Sequence, residues 1–269
     1  MPDQADVRTL PWQWSFPFSL DELGGRIERV KRYLQEKDLD GMLVFSPENI
    51  YYLTGLNHYG FFTPHILIVP RNGEMQLIMR AMEQAAHEAQ IRNALFAGHS
   101  DDQTPGWKAC EIVTAMGLHQ SRLGLEKHTL FTPISLWETL QQGLSGVHWQ
   151  DASWVIDRLR MAKSSEELQN IEKASQISLA MMQAARNSAC VGRSEAEIAA
   201  EVLQAMVRAG GETPGFGPFI RATPTMPQEH VSWTDYRLRE GDCLFVELAG
   251  CYRRYHAPMG RLFFLGDPP

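Results

Sequence analysis

Leu23, Ile27, Val30 and Leu34 recur at intervals of three and four in SLDELGGRIERVKRYLQEKDLD, which is the spacing of one helix face. The next segment, DGMLVFS, is a short unbroken apolar run and predicts a buried strand. PENIYYLTGL predicts a second helix. In HILIVPRNGEMQLIM two apolar runs flank Asn72-Gly73, the dipeptide favoured where both turn residues take positive φ, so a hairpin is expected there. WKACEIVTAMG and PISLWETLQQGL continue the helical pattern, with RLGLEKH and GVHWQDAS as strands between and after them. Interleaving of this kind predicts an α/β domain with a mixed sheet over residues 1–155.

The pattern changes at WVIDRLRMAKSSEELQNIEKASQISLAMMQAARN. Ser164 and Glu167 have the spacing of a capping box, and Leu168, Ile171, Ala174, Ile177 and Met181 follow as a stripe. A long helix therefore opens a second domain, residues 156–269. VGRSEAEIAAEVLQAMVRAGG repeats the arrangement, with Ser194 and Glu197 as box, Ile198, Val202, Ala205 and Ala209 as stripe, and Gly210-Gly211 as stop. ETPGFGPFIRATPTMPQEH is too broken by Gly and Pro to be a helix. After it, EHVSWTDYRLREGDCLFVELAGCYRRYHAPMGR reads as a His-led loop, a Gly-Asp turn and two apolar strands. Tyr252, Tyr255 and His256 read as one strand, which puts Tyr252 and His256 on one face and Tyr255 on the other.

Composition narrows the classes. With 269 residues, 44% hydrophobic and 21% charged, the chain is globular and long enough for two modest domains. Its 25 Lys+Arg against 32 Asp+Glu leave a net charge of −7 with no basic stripe, so no nucleic acid and no anionic membrane is expected as a partner. The first residues lack a basic stretch followed by an apolar run, and nothing approaches the ~18 apolar residues of a membrane span. A cytoplasmic protein is expected. Cys110, Cys190, Cys243 and Cys251 form no CxxC pair and read as reduced core thiols.

Three stretches, SPENIYYLTGL, RLRMAKSSEELQNIEKA and HVSWTDYRLREGDCLFVELAGCYRRYHAPMGR, resemble the creatinase, prolidase and methionine-aminopeptidase superfamily. The resemblance implies an α/β N-terminal creatinase-type domain followed by an α+β pita-bread catalytic domain. It also implies truncation, because the family's catalytic domain is about twice as long as the segment after residue 160. The missing part would carry a further His and two Glu. Half of such a sheet is expected to leave an incomplete pocket, with an apolar face and a strand edge uncovered.

In the peptidase branch of that superfamily, one strand carries an Asp and the next carries another 11 positions later, both ligands of a two-metal centre. Here those positions fall on Glu247 and on Pro258, whose side chain has no donor. The expectation is therefore no metal, with Mn, Co or Zn as the alternative. His230, 11 residues before Gly241, stands at the family position of a catalytic or substrate-binding His. In the creatinase branch that residue shuttles a proton, a task suited to an imidazole because its ordinary pKa is near 6.5. An exposed loop His without a task is the plainer reading.

Glu247 sits among Leu244, Phe245, Val246 and Leu248, a run typical of a covered strand, so its carboxylate needs a partner. Arg253, Arg254, Arg261 or a cationic substrate group could supply one. His256 is either a second pocket group or a satisfied core residue, and Arg261 matches a family Arg that serves in an ion pair or at the substrate. Phe216 and Phe219 resemble the family's pocket wall, or anchor their loop. By the same resemblance the exposed-looking LNHYGFFTPH offers Tyr59, Phe61, Phe62 and His65 as a lid over a partner's site in a homodimer. The expected activity is hydrolysis of a C–N bond in a small nitrogenous substrate, creatinase-like or ectoine-hydrolase-like, since ectoine-type hydrolases resemble GCYRRYHAP more closely than aminopeptidases do. A metal-dependent Xaa-Pro peptidase and a non-catalytic dimerising scaffold are the alternatives.

Overall fold

The computed structural model describes residues 15–267, which divide into a unit closing at Ala162 and a unit opening at Lys163. In the first unit, helix α1 (Leu20–Glu36) starts where Ser19 accepts the Glu22 N–H at 3.1 Å, and it buries Leu23, Val30 and Leu34 as its spacing predicts. It also buries Arg26 completely. That guanidinium lies between the rings of Phe18 and Tyr52, 3.9 and 4.1 Å from their centroids, and donates to the Tyr52 carbonyl at 2.8 Å.

The sheet of this unit has the order β4-β3-β2-β1-β5-β6. Its strands are β1 (Gly41–Val44), β2 (Ile66–Pro70), β3 (Met75–Arg80), β4 (Ala94–His99), β5 (Arg122–Leu125) and β6 (His148–Asp151). β2 runs antiparallel to β1 and β3, whereas β1 with β5, β5 with β6 and β3 with β4 are parallel. The unbroken apolar runs follow from burial on both faces. Met42, Val44, Leu67 and Leu77 pack with Val30 and Leu34 of α1, Leu53 of α2 (Pro47–Thr54) and, beyond α3 (Gln84–Gln90), Ile156 of α6 (Val155–Met161). Leu43, Ile68, Ile78 and Leu123 pack on the other face with Val113 of α4 (Pro105–Ala115) and Leu140 of α5 (Ile134–Gly143).

Several expectations for this unit change. The connection between β2 and β3 runs from Arg71 to Glu74, and only Gly73 has positive φ, 102°. It is therefore not the two-residue primed turn that Asn72-Gly73 suggested. Helix α3 and strand β4 had no strong periodicity, since α3 has seven residues and β4 is a half-buried sheet edge. Tyr59 and Phe62 are exposed, but His65 is buried and its Nε2 lies 3.1 Å from Glu83, so it is no part of an exposed lid.

The second unit opens with α7 (Ser165–Ser188) and α8 (Glu195–Arg208), and both capping boxes form. The N-terminal turn of α7 departs from the expected stripe. Leu168 is exposed, while Glu167 is buried, accepting the Ser164 N–H at 2.9 Å and the Tyr255 hydroxyl at 2.8 Å. Strands β7 (Phe219–Ala222), β8 (Cys243–Tyr252) and β9 (Tyr255–Phe264) form an antiparallel sheet in that order. Leu244, Val246 and Leu248 pack against Ile177 and Met181 of α7 and Ile198 and Val202 of α8.

At Gly250 the helix approaches so closely that a Cβ would stand 2.4 Å from the Ala174 carbonyl oxygen. Its N–H instead donates to Ser178 Oγ at 2.8 Å. The edge of β9 away from β8 pairs with no described strand, and Leu262 and Phe264 on it are exposed.

The β8–β9 turn corrects the reading of Tyr252–His256 as one strand. Tyr252 pairs directly with Tyr255 across Arg253 and Arg254, whose φ values are 47° and 64°. Tyr252 and Tyr255 thus share a face, and His256 pairs with Cys251 on the other. The turn lacks the Gly or Asn that announces positive φ. All four cysteines are free, but Cys190 is exposed, and only Cys110 and Cys251 are buried as core thiols. No described helix is long and apolar enough to cross a membrane.

Candidate functional site

Residues directly opposed in an antiparallel ladder project to the same side. Glu247 pairs with Phe219 on one flank and Gly260 on the other. Its face therefore carries Phe219 and Arg221 from β7, Phe245 from β8, and His256 and Pro258 from β9. The residues between them in β8, Leu244, Val246 and Leu248, turn to the helices. The face carrying Glu247 is the one the helices leave open.

Glu247 is half-buried, and no hydrogen bond or ion pair joins its carboxylate to another described residue. Arg253, Arg254 and Arg261 do not reach it. Arg261 pairs with Val246, so it leaves the sheet on the side opposite Glu247, exposed, with one guanidinium nitrogen 2.7 Å from the Gly260 carbonyl. Pro258 pairs with Ala249 on the Glu247 face and contributes no donor atom.

His230 lies in the loop between β7 and β8, exposed and with φ of 54°. Its ring meets Phe219 edge-on at 5.7 Å, and Phe219 stacks on Phe216 at 5.3 Å. Phe216, Phe219 and His230 therefore come together beside the strand position that Phe219 shares with Glu247. His256 faces the same side but has other work. Its Nε2 accepts the Gly215 N–H at 3.0 Å, tying the Phe216 loop to β9. Burial pushes its pKa below the ordinary His value, against a hydrogen bond to the Arg254 backbone that acts the other way, so the ring is neutral at pH 7.

Two buried side chains hold the loop that carries His230. Arg221 donates to the Gln228 carbonyl and lies 4.8 Å from the centre of the Phe245 ring. Glu195, at the first position of α8 and wholly buried, accepts from the Ala222 N–H at 2.6 Å and the Thr225 hydroxyl at 3.0 Å on Oε1. Its Oε2 accepts the N–H and hydroxyl of Thr234 at 2.7 and 2.6 Å. Sequence reading passed over both. An acid in the first helical turn looks like an ordinary partner of the helix dipole, and nothing local shows that its acceptors meet donors some thirty residues on, about eight helical turns of chain.

Residues 26–162 match the Creatinase/Prolidase N-terminal domain family, and residues 169–269 match Metallopeptidase family M24. The chain is 24% identical to an ectoine hydrolase of Halomonas elongata, over 96% of this chain and 69% of that protein. It is also 24% identical to a Xaa-Pro dipeptidase of Pyrococcus horikoshii, over 93% of this chain and 66% of that protein. Among solved structures, a prolidase from Thermococcus sibiricus superposes with a TM-score of 0.81 at 22% identity, covering 94% of this chain and 68% of that one. The chain thus spans about two thirds of the relatives it matches. The fold is the expected one, a creatinase-type α/β domain followed by a pita-bread catalytic domain, of which this chain holds part.

The matched family's name implies a metal, and the residues on the hairpin test whether they fit one. Glu247 is the one carboxylate on its face of β8 and β9; Pro258 has no donor, and the Nε2 of His256 is taken by the Gly215 N–H. Within this hairpin Glu247 is thus the one carboxylate available, and a pair of ions would need its other ligands from outside β8 and β9.

Proposed function

The chain belongs to the creatinase/prolidase and M24 hydrolase family, and within it we propose an enzyme that hydrolyses a C–N bond in a small cationic nitrogen compound, such as an amidine, ureido or cyclic-amidine solute, without a metal or other cofactor. The carrying observation is Glu247, an unpartnered carboxylate on the open face of the sheet, with Pro258 where a second carboxylate would be needed for a metal pair. Glu247 pairs with the cationic part of the substrate, which gives that half-buried carboxylate the partner it lacks among the described residues. His230 takes a proton from water as the water oxygen attacks the carbon, and returns it to the nitrogen as the C–N bond breaks. Phe216 and Phe219 wall the substrate's apolar side. The enzyme works as a cytoplasmic homodimer.

The test uses the protein at its full natural length, assayed against cyclic amidines, ureido compounds and Xaa-Pro dipeptides, with and without chelator. Hydrolysis of the first two classes that survives chelation, and falls about 10²- to 10⁴-fold in His230→Ala, is expected. Unchanged turnover in His230→Ala removes the proton shuttle.

A Xaa-Pro dipeptidase is the second reading, favoured by relatives of that name at the same identity as the ectoine hydrolase. It requires ions held by Glu247 together with ligands outside this hairpin. Dipeptide cleavage abolished by chelator and restored by Mn, Co or Zn would select it.

A further inference from the structure

Away from the hairpin, three ligating side chains meet within the first unit. His58 lies in the loop after α2, His65 immediately precedes β2, and Glu83 ends the short 3-10 turn Ala81–Glu83 that follows β3. One ring nitrogen of each His and a carboxylate oxygen of Glu83 all lie within 4.8 Å of one another. Nε2 of His65 is 3.1 Å from one carboxylate oxygen, and Nε2 of His58 is 3.9 Å from the other. His65 and Glu83 are buried, and the His58 side chain is one-fifth exposed, which leaves a way in. The neighbouring Arg80 is committed elsewhere, forked onto Asp101 at 2.8 and 3.0 Å.

Gly60 shows how tightly this group is enclosed. A Cβ at that position would stand 2.2 Å from Cε1 of His58 and 2.3 Å from Oε1 of Glu83. Gly60 is not among the residues with positive φ, so it is the side chains of the cluster, and not the backbone conformation, that crowd a Cβ there.

We propose that His58, His65 and Glu83 bind one divalent first-row transition ion, with zinc as its representative, clipping the loop 57–65 to the end of β3. Two imidazoles and a carboxylate form the mixed N/O donor set that such ions accept and that calcium and magnesium, which take oxygen, do not favour. Ligand atoms bonded at about 2.0–2.1 Å around tetrahedral zinc stand about 3.3 Å apart. The His65–Glu83 pair is already near that spacing, and rotation of the more exposed His58 ring brings its Nδ1 to the ion in place of the Nε2 that lies 3.9 Å from Glu83. The Gly60 N–H donates to Nδ1 of His58 at 2.9 Å, so that nitrogen carries no proton. An ion taking its lone pair displaces a single backbone donor. Three protein ligands leave one position for water or an outside group. The site lies in the part matching the Creatinase/Prolidase N-terminal domain, so it stands or falls separately from the proposed hydrolytic chemistry.

The experiment strips the whole protein with chelator, titrates it with zinc by calorimetry, and measures bound zinc after dialysis. Cobalt(II) in place of zinc reports ligand number from its visible spectrum. Wild type is expected to take up one zinc per chain at this site and to give the bands of a four-coordinate cobalt ion. Glu83→Gln and His65→Gln, checked for an unaltered cooperative unfolding transition without metal, should weaken that binding by more than the roughly 10- to 100-fold that an outer group costs. Glu247→Gln should leave it unchanged. The proposal is overturned if wild type retains no zinc, which would leave a hydrogen-bonded His–Glu pair needing no ion. It is equally overturned if Glu83→Gln binds as wild type does, or if Glu247→Gln is the variant that loses the ion. Should the two cluster variants fail to fold, the cobalt spectrum of wild type decides: octahedral all-oxygen bands sink the assignment and four-coordinate bands uphold it.

Discussion

Glu195 holds Thr234 by both of that residue's donors, the N–H at 2.7 Å and the hydroxyl at 2.6 Å, on a single carboxylate oxygen. The other oxygen holds Ala222 and Thr225, so one buried side chain holds the chain on both sides of His230. Hydrogen bonds to a charged group contribute about 1.5–3 kcal/mol each, and orphaned buried donors add to the loss. Glu195→Gln turns one acceptor oxygen into a donor facing donors. It should lower unfolding free energy by about 3 kcal/mol or more, read from urea titrations. A loss under about 0.5 kcal/mol, the scale of an ordinary surface change, would show that the loop is held by other means.

Two glycines should respond oppositely to alanine. Gly250→Ala sets a Cβ 2.4 Å from the Ala174 carbonyl of α7, a backbone atom with little freedom, and should destabilise the second unit by about 1–3 kcal/mol or more. Gly24 lies inside α1 with nothing within 4 Å of the added methyl, so Gly24→Ala should stabilise by about 0.5–1 kcal/mol. Thermal unfolding of both variants reads the two signs together. Equal shifts of the same sign would contradict the packing described.

Acid should weaken the fold through one buried and one half-buried histidine. Burial pushes the pKa of both His87 and His256 below the ordinary value, so each is neutral in the folded protein where the unfolded chain is already protonating. The unfolded state then binds more protons, and stability falls as pH drops below about 6.5, with no contribution from these groups above it. Glu126 acts in the opposite sense, since burial raises its pKa and its carboxylate opposes folding as pH rises past the ordinary Glu value. His256→Asn should flatten the acid slope measured by denaturation between pH 7.5 and 5.5. A slope identical to wild type would remove His256 from the account.

Thiol labelling should order the cysteines by burial. Cys190 is exposed, whereas burial pushes the thiols of Cys110 and Cys251 up to about 11. An aromatic disulfide reagent at pH 8 should modify Cys190 first and Cys243 more slowly, leaving Cys110 and Cys251 until denaturant is added. Rapid labelling of Cys251 in the folded chain would mean that β8 opens far more readily than its packing implies.

What could be read along the chain was local. The helix spacing of α1, α4 and α8, both capping boxes and the doubly covered runs of β1 and β2 depend on neighbours within a few residues, so their physics is written in order. The likeness of three stretches to one superfamily extended that to the whole architecture.

Other features were settled only by tertiary contact. Two arginines at positive φ make a two-residue turn that no local cue announces; the turn sets the β9 register, and register decides that His256 faces the side of Glu247 while Arg261 does not. Glu195 and its donors, Glu167 and Tyr255, and the meeting of His58, His65 and Glu83 bring together residues from separate elements. A buried polar group is defined by the partners that replace its water, and those partners exist only once the chain has closed on itself.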